Sequence, residues 1–303
     1  MKEMADAKNK PLLELTWDNE LGRGNIKEFR PDGTMFSLTL SRFKEGSTYT
    51  HGLFVGGELP VGDPDMSENH DTSGFSYYDG NQWHHIWCAL NEGLRIYGTN
   101  NLIMPSSWKY LGSKILKETD EEIILESEHE TTFNIDNDPN KIGKLRMKRQ
   151  LSFRARNDYF IIRTTFTNTG NNLINYGYII GDEPWVGDFG SSQGDVGWYD
   201  KGIIDREKYL SPYIYNYAGF WDRGNFIAGE KNSYSGYANF VQWLSPTPSY
   251  VYFSNQFDKC CSESTPLFSK DNRIINLLWN NIGLFFGQSK QFILAFGMAR
   301  PDP

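Results

Sequence analysis

Between Ile123 and Asn168 the chain carries three long stretches in which apolar and polar residues alternate, IILESEHETTFNI, KLRMKRQLSF and YFIIRTTFTN. A period of two belongs to a strand with one buried face; a helix would scatter the same residues around its surface. The first two stretches, Ile123 to Ile135 and Lys144 to Phe153, are joined by a turn over Asn134 to Gly143. The second is joined to Tyr159 to Asn168 at Arg156-Asn157-Asp158. Asn, Asp and Gly are turn formers, so an antiparallel meander is expected here. A sheet with one apolar face must be covered by another layer, and this requirement constrains the rest of the fold.

The covering layer has its own candidates. Leu12 to Trp17 alternates. Asn25 to Phe29 and Met35 to Leu40 flank Pro31-Asp32-Gly33 and read as a hairpin. Further strands are expected at Gln82 to Leu90, Tyr176 to Ile180, Tyr237 to Leu244, Tyr250 to Asn255, Arg273 to Trp279 and Gln291 to Met298. Amphipathic helices are hard to find, with room for one turn in Glu207 to Tyr217. Pro60 to Gly74 has no apolar period and reads as a long loop. Aromatic residues make up 15% of the chain and there are 29 glycines, which favours strands and turns. The expected fold class is all-β, a large antiparallel β-sandwich, with residues 1–10 a polar lead-in and 11–303 one domain.

Charge and motif content narrow the function. The formal net charge is −8, and the basic residues of Lys144 to Arg149 alternate along a strand, so a nucleic-acid partner is not expected. The expected partner is a small molecule or an oligosaccharide; the oligomeric state is left open. No run of about 18 apolar residues marks a membrane span. The opening MKEMADAKNKP lacks the apolar region of a signal peptide, which makes cytoplasmic the default expectation, with secretion open if the chain was trimmed. Cys88, Cys260 and Cys261 form neither a disulfide framework nor metal-type spacing. Asp136-Asn137-Asp138-Pro139-Asn140 with Gly143 echoes a calcium loop but lacks the closing bidentate Glu, so turn chemistry is the expected reading. No metal and no cofactor are expected, since no phosphate loop, dinucleotide fingerprint or nucleophile elbow is present.

Two stretches carry the candidate chemistry. Asn175 to Asp200 starts as a strand and is expected to break after Ile180 into a Gly-rich segment with Asp182, Glu183, Asp188 and Asp195 among Trp185 and Trp198. Asp182 and Glu183 leave a strand in opposite directions, so at most one faces a substrate, as general acid or base. The same residues also suit plain turn capping. In QWHHIWCAL, alternation puts His85 on a face with Trp83 and Trp87, and His84 with Ile86 and Cys88. Tryptophan rings can stack the apolar face of a sugar while a neighbouring imidazole bonds or moves a proton. The bland alternative is that the tryptophans pack in the core. His51, before a Gly-rich turn, is a further candidate for the pocket, and His129 is expected to face solvent.

The run DYFIIRTTFTNTGNNLINYGYIIGDEPWVG, together with NIKEFRPDGTMFSL near the start and QFILAFGMA near the end, resembles galactose-mutarotase-like proteins. The resemblance implies their β-sandwich and a carbohydrate substrate. It departs at one point: where aldose epimerases carry a catalytic His after the second strand, this chain has Gly181-Asp182-Glu183-Pro184-Trp185. The expected function is therefore a carbohydrate-active enzyme, an epimerase, lyase or hydrolase. His84 or His85 would form a proton-transfer pair with Asp182 or Glu183, and Trp83, Trp87, Trp185, Asp188 and His51 would bind substrate. The alternatives are a non-catalytic carbohydrate-binding protein, or a barrel-type carrier or cyclase for an apolar ligand.

Overall fold

The computed structural model describes residues 12–45, 48–54, 74–81, 83–99, 102–187, 195–200, 202–222, 236–259, 262–267 and 273–300. At positions 41–45, 48–51, 54, 75, 83, 85–89, 182, 183, 185 and 187 it describes the backbone alone. The elements in chain order are β1 (Leu13–Asp18), β2 (Arg23–Phe29), β3 (Met35–Glu45), β4 (Thr48–Phe54), β5 (Gly74–Tyr78), β6 (Trp83–Ile96) and β7 (Leu102–Ile103). After a 3-10 turn at Pro105–Ser107 come β8 (Lys109–Glu118), β9 (Glu122–Ile135), β10 (Asp138–Arg154), β11 (Tyr159–Asn168) and β12 (Ile174–Gly187). The remainder are β13 (Asp195–Tyr199), β14 (Gly202–Ile204), β15 (Lys208–Leu210), β16 (Tyr217–Asp222), β17 (Ala238–Ser245), β18 (Tyr250–Ser254), β19 (Ile274–Leu284) and β20 (Ser289–Ala299).

These strands make two antiparallel sheets. The eleven-stranded sheet runs β1-β2-β3-β5-β6-β12-β19-β18-β15, with β4 beside β3 and β7 beside β6. The nine-stranded sheet runs β14-β13-β16-β17-β20-β11-β10-β9-β8. The all-β sandwich expected from the alternation is what forms. In β11 every second residue is buried, from Phe160 through Ile162, Thr164 and Phe166 to Asn168. Opposite them the larger sheet presents Tyr176, Tyr178, Leu277 and Trp279. The rings interlock: Tyr178 lies 4.9 Å from Phe166 and 4.7 Å from Phe292, and stacks on Trp279 at 5.5 Å. Off-centre and edge-on contacts of this kind add to the area the rings bury.

The turns follow their residues. Asp136 and Asn137 both take positive φ, 55° and 56°, giving the two-residue connection that matches strand twist between β9 and β10. The carboxylate of Asp136 accepts from Lys141 at 3.1 Å, and Asp138 accepts from the Asn140 amide at 2.9 Å. At the next hairpin the buried Glu28 accepts from Arg30 at 2.8 Å and from the backbone of Arg156, while Arg30 also pairs with Asp158 at 2.8 Å. That network ties the β2–β3 turn to the β10–β11 turn.

β8 is the outer edge of the nine-stranded sheet. Its pairing with β9 is broken by irregularities at Tyr110/Gly112 and Ile115/Lys117. Along it Lys114 pairs with Glu126 at 2.8 Å and Lys117 with Glu122 at 2.5 Å, beside the exposed Leu111, Ile115 and Leu116.

Two expectations need correction and a third is refined. β12 does not break after Ile180; it stays paired with β6 as far as Gly187 opposite His85. Among the described residues its ladder to β19 ends at Asp182, so Pro184 lies beyond that pairing, where a missing N–H is tolerated. His129 is fully buried rather than solvent-facing, because β4 crosses over it: a Cβ on Gly52 would stand 2.3 Å from its Nε2. Its ring also meets that of Tyr110 at 5.5 Å. Finally, Glu207 to Tyr217 opens with β15, and its one helical turn is the Tyr215 N–H to Ser211 carbonyl bond of 3.2 Å. No helix among the described residues is long and apolar enough to cross a membrane. The long loop expected at Pro60 to Gly74 lies outside the described residues, apart from Gly74, which begins β5.

Candidate functional site

β6 and β12 are neighbours at the centre of the larger sheet, so the two stretches singled out in the sequence lie side by side. The register sets Trp185 opposite Trp87, Glu183 opposite Ala89, Asp182 opposite Leu90 and Gly187 opposite His85. Directly opposed residues of an antiparallel pair belong to the same face. The even-numbered row of β12 includes the buried Tyr176, Tyr178 and Ile180, which close the core. Positions 183 and 185 fall in the odd-numbered row, with Gly177, Ile179 and Gly181, on the outer face. On β6 the outer row is again the odd one and ends at Arg95. Trp83, His85, Trp87, Asp182, Glu183 and Trp185 are described by backbone alone, as is His51 on β4; Asp188 lies outside the described residues.

The outer face carries a cleft of about 230 Å3 lined by Arg95, Tyr209, Tyr250, Tyr252, Asp258 and Leu278. Two short strands deliver its tyrosines: Tyr209 of β15 pairs with Tyr252 of β18, and Tyr250 precedes Tyr252 by two residues on the same face. The Tyr209 ring lies 5.6 Å from Tyr252 and 6.4 Å from Tyr250. Tyr250 and Tyr209 are exposed and Tyr252 is buried, so the cluster forms a wall with two accessible rings. Arg95 closes the cleft with both oxygens of Asp258, at 2.5 and 2.6 Å. Asp258 is held by a left-handed backbone, φ 57°, and its N–H donates to Asn276 at 3.1 Å. Eight residue steps of β6 separate Trp87 from Arg95, roughly 26 Å of strand, with the Phe257 ring packed over the outer face between them.

Midway along this face lies Gly181. A Cβ there would stand 2.6 Å from the Phe257 ring and 2.9 Å from Ile274. The packing accounts for the glycine in the segment where the resemblance would place an epimerase His: Phe257 fills the room an imidazole would need.

His84 belongs to the inner row. It is buried, its Nε2 lies 2.9 Å from Asp79 Oδ2, and its ring packs 4.3 Å from that of Tyr237. The guanidinium of Arg300 covers the same Tyr237 ring at 4.4 Å. Asp182, opposite Leu90, is six positions from His84 along the ladder, about 20 Å, so the register does not bring those two together. The carboxylate that His84 reaches is Asp79, on the β5–β6 turn.

Two buried pairs of an acidic and a basic side chain stand behind the sheet. Arg149 of β10 meets Glu92 of β6 at 2.5 Å, with Tyr178 donating to the same Glu92 oxygen at 3.1 Å and Thr164 accepting from Arg149 at 3.3 Å. The enclosed space beside them is about 20 Å3, room for one water molecule. At the far end of β12, Asp195 accepts from Arg273 at 3.1 Å and from the Val186 N–H at 3.3 Å. Burial pushes the Asp195 carboxyl up to about 8, outweighing the Arg273 charge beside it, and Asp222 adds to the rise.

The sequence reading missed Arg95, Tyr209 and Asp258. Arg95 lies beyond Leu90, where the expected strand ended, and Tyr209 is in a stretch assigned to a helical turn. Tyr250 and Tyr252 were visible as an aromatic alternation, with nothing local to show what they would face. Among the described residues no group of three His, Cys, Asp or Glu gathers as a metal site would require.

No protein-family model matches the chain, and no curated protein matches it. Solved structures similar to it include a galactose mutarotase-like protein from Clostridium acetobutylicum, 10% identical, covering 89% of this chain and 80% of that one with a TM-score of 0.40. The Slr1438 protein from Synechocystis sp. PCC 6803 is 10% identical, covers 97% of each chain and has a TM-score of 0.42. The GH36 alpha-galactosidase AgaB from Geobacillus stearothermophilus is 9% identical with a TM-score of 0.47; the match covers 95% of this chain and 41% of the galactosidase.

Proposed function

We propose that this protein binds an oligosaccharide along the outer face of the larger sheet and acts on it near Trp87 and Trp185. The observation that carries the reading is the tyrosine-walled cleft closed by Arg95 and Asp258. It offers ring faces for sugar C–H groups and a fixed fork of charged hydrogen-bonders for hydroxyls, the mixture that saccharide sites need. At the other end of the face, the Trp87–Trp185 pair has His85 two positions to one side and Glu183 two positions to the other. Each of those two backbone positions lies roughly 7 Å along the strand from the tryptophan pair. In this reading His85 and Glu183 are the candidate proton-transfer residues of the site. Asp182, in the inner row, has no part in this arrangement.

A second reading, binding without catalysis, is favoured by one feature: Arg95 and Asp258 neutralise one another, leaving that cleft with aromatic rings and no free charge. A carrier for an apolar ligand is not supported by the core space beside Glu92, which has room for one water molecule and holds a carboxylate.

A panel of mono- and oligosaccharides screened by thermal shift tests the reading, since a ligand of the native state raises the melting temperature. Tyr250→Ala is expected to abolish the shift given by the best ligand. A shift unchanged in Tyr250→Ala would move the ligand off this face.

A further inference from the structure

A different cleft opens at the opposite end of the sandwich from Asp195, where β19 and β20 approach their hairpin. Its volume is about 560 Å3, in the range of small-molecule sites. Its walls include Trp279, Ile282 and Phe292, and its polar groups include Ser249, Asn280, Asn281 and Gln288. Among the described residues that line it, Lys290 carries the single charge, and no carboxylate is among them.

The backbone is shaped around this space. Between Tyr176 and Tyr178 the pairing of β12 with β19 slips by one residue, so that Asn280 and Asn281 together face one residue of β12. Asn281 takes the left-handed conformation, φ 56°. Bulges of this kind re-aim side chains and gather beside binding sites. Asn280 is locked in place: its side-chain Oδ1 accepts from the Tyr97 hydroxyl at 3.0 Å and its backbone N–H donates to Ser249 Oγ at 3.0 Å. Gln288 is held by the Phe285 N–H at 3.0 Å through its Oε1, which leaves the Nε2 donors to another partner.

We propose that this cleft binds a sugar acid: a hydroxyl-rich ring with one carboxylate. Neutral amides and hydroxyls match ring hydroxyls, the apolar wall matches C–H groups, and one ammonium balances one negative charge. A phosphate dianion would be left half-compensated by the same lysine. The chain as a whole is acidic, at −8, so a lysine in a cleft without carboxylates is where an anion can approach. The site is separate from the outer face and does not depend on the reading given for it.

The test is titration calorimetry with D-galacturonate and, in parallel, neutral D-galactose. Galacturonate is expected to bind, with galactose weaker. Lys290→Met should weaken galacturonate by about tenfold or more, the scale of a lost charge-assisted hydrogen bond, with Lys290→Arg retaining most of the affinity. Tyr250→Ala should leave galacturonate binding unchanged. The proposal is overturned if galacturonate fails to bind, if Lys290→Met binds it as tightly as the wild type, or if Tyr250→Ala abolishes its binding. The oligosaccharide thermal-shift screen reads the outer face separately, so the two sites can fail independently.

Discussion

Arg149 and Glu92 reach toward each other from opposite sheets and meet at 2.5 Å in the middle of the core. Both charges are buried, and each has further partners: Thr164 of its own sheet and the Leu53 carbonyl of the facing sheet for Arg149, and Tyr178 of its own sheet for Glu92. Arg149→Met strands a buried carboxylate and is expected to cost roughly 3–5 kcal/mol in urea denaturation. The double variant Arg149→Met with Glu92→Met should recover a good part of that loss. A cost below about 1 kcal/mol for the single variant would mean that the pair is solvated in solution.

The Asp195 carboxyl, pushed up to about 8 by burial, makes stability depend on pH in the opposite sense to most acids. The folded state holds a proton that the unfolded chain releases near the ordinary Asp value of about 3.9. The stabilising contribution is therefore full below about pH 4 and fades as pH rises through 8. Melting curves for wild type and Asp195→Asn should converge toward acid pH and diverge between pH 5 and 8. Parallel curves over that window would contradict this assignment.

Gly219 sits where β16 passes close to β17. A Cβ would stand 1.9 Å from the Asn239 carbonyl oxygen, which already accepts from the Trp198 ring at 3.0 Å. Backbone cannot yield there as a flexible side chain would. Gly219→Ala should cost more than about 2 kcal/mol, the scale of severe overpacking, with the expected readout a lowered urea midpoint. A neutral substitution would show that the three strands can separate without penalty.

For an identified saccharide substrate, Glu183→Gln and Asp182→Asn should behave differently although they are adjacent. The outer-row Glu183 should lose on the order of a hundredfold in turnover, the scale of a missing general acid or base. Asp182→Asn, at an inner-row position, should act mainly on the melting temperature. Equal small effects on turnover would remove this corner from the chemistry and advance the binding-only reading.

What could be read from the chain depended on distance along it. Tyr159 to Asn168 was legible to the residue because its alternation is complete and both neighbours in the sheet impose the same period. β12 was cut short at Ile180 because Gly181, Asp182 and Pro184 are local signals for a turn, whereas the β6 ladder that overrules them comes from residues some ninety positions earlier. His129 was misplaced for the same reason: charged neighbours Glu128 and Glu130 suggest a wet strand, and the β4 segment that covers it belongs to a distant part of the chain. The tyrosine cleft is an extreme case. Its lining comes from β6, β15, β18, β19 and the turn at Asp258, and no single stretch contains enough of it to be noticed.

β8 also bears on how the protein behaves among copies of itself. An open sheet edge offers a row of unpaired backbone groups to any passing strand, and exposed Leu111, Ile115 and Leu116 would make docking there favourable. The two slips in its pairing with β9 interrupt the even ladder that a second chain would have to continue, and Lys109, Lys114 and Lys117, each beside a β9 carboxylate, line the edge with ion pairs. Those irregularities make β8 a poorer template for a second strand than an even edge would be.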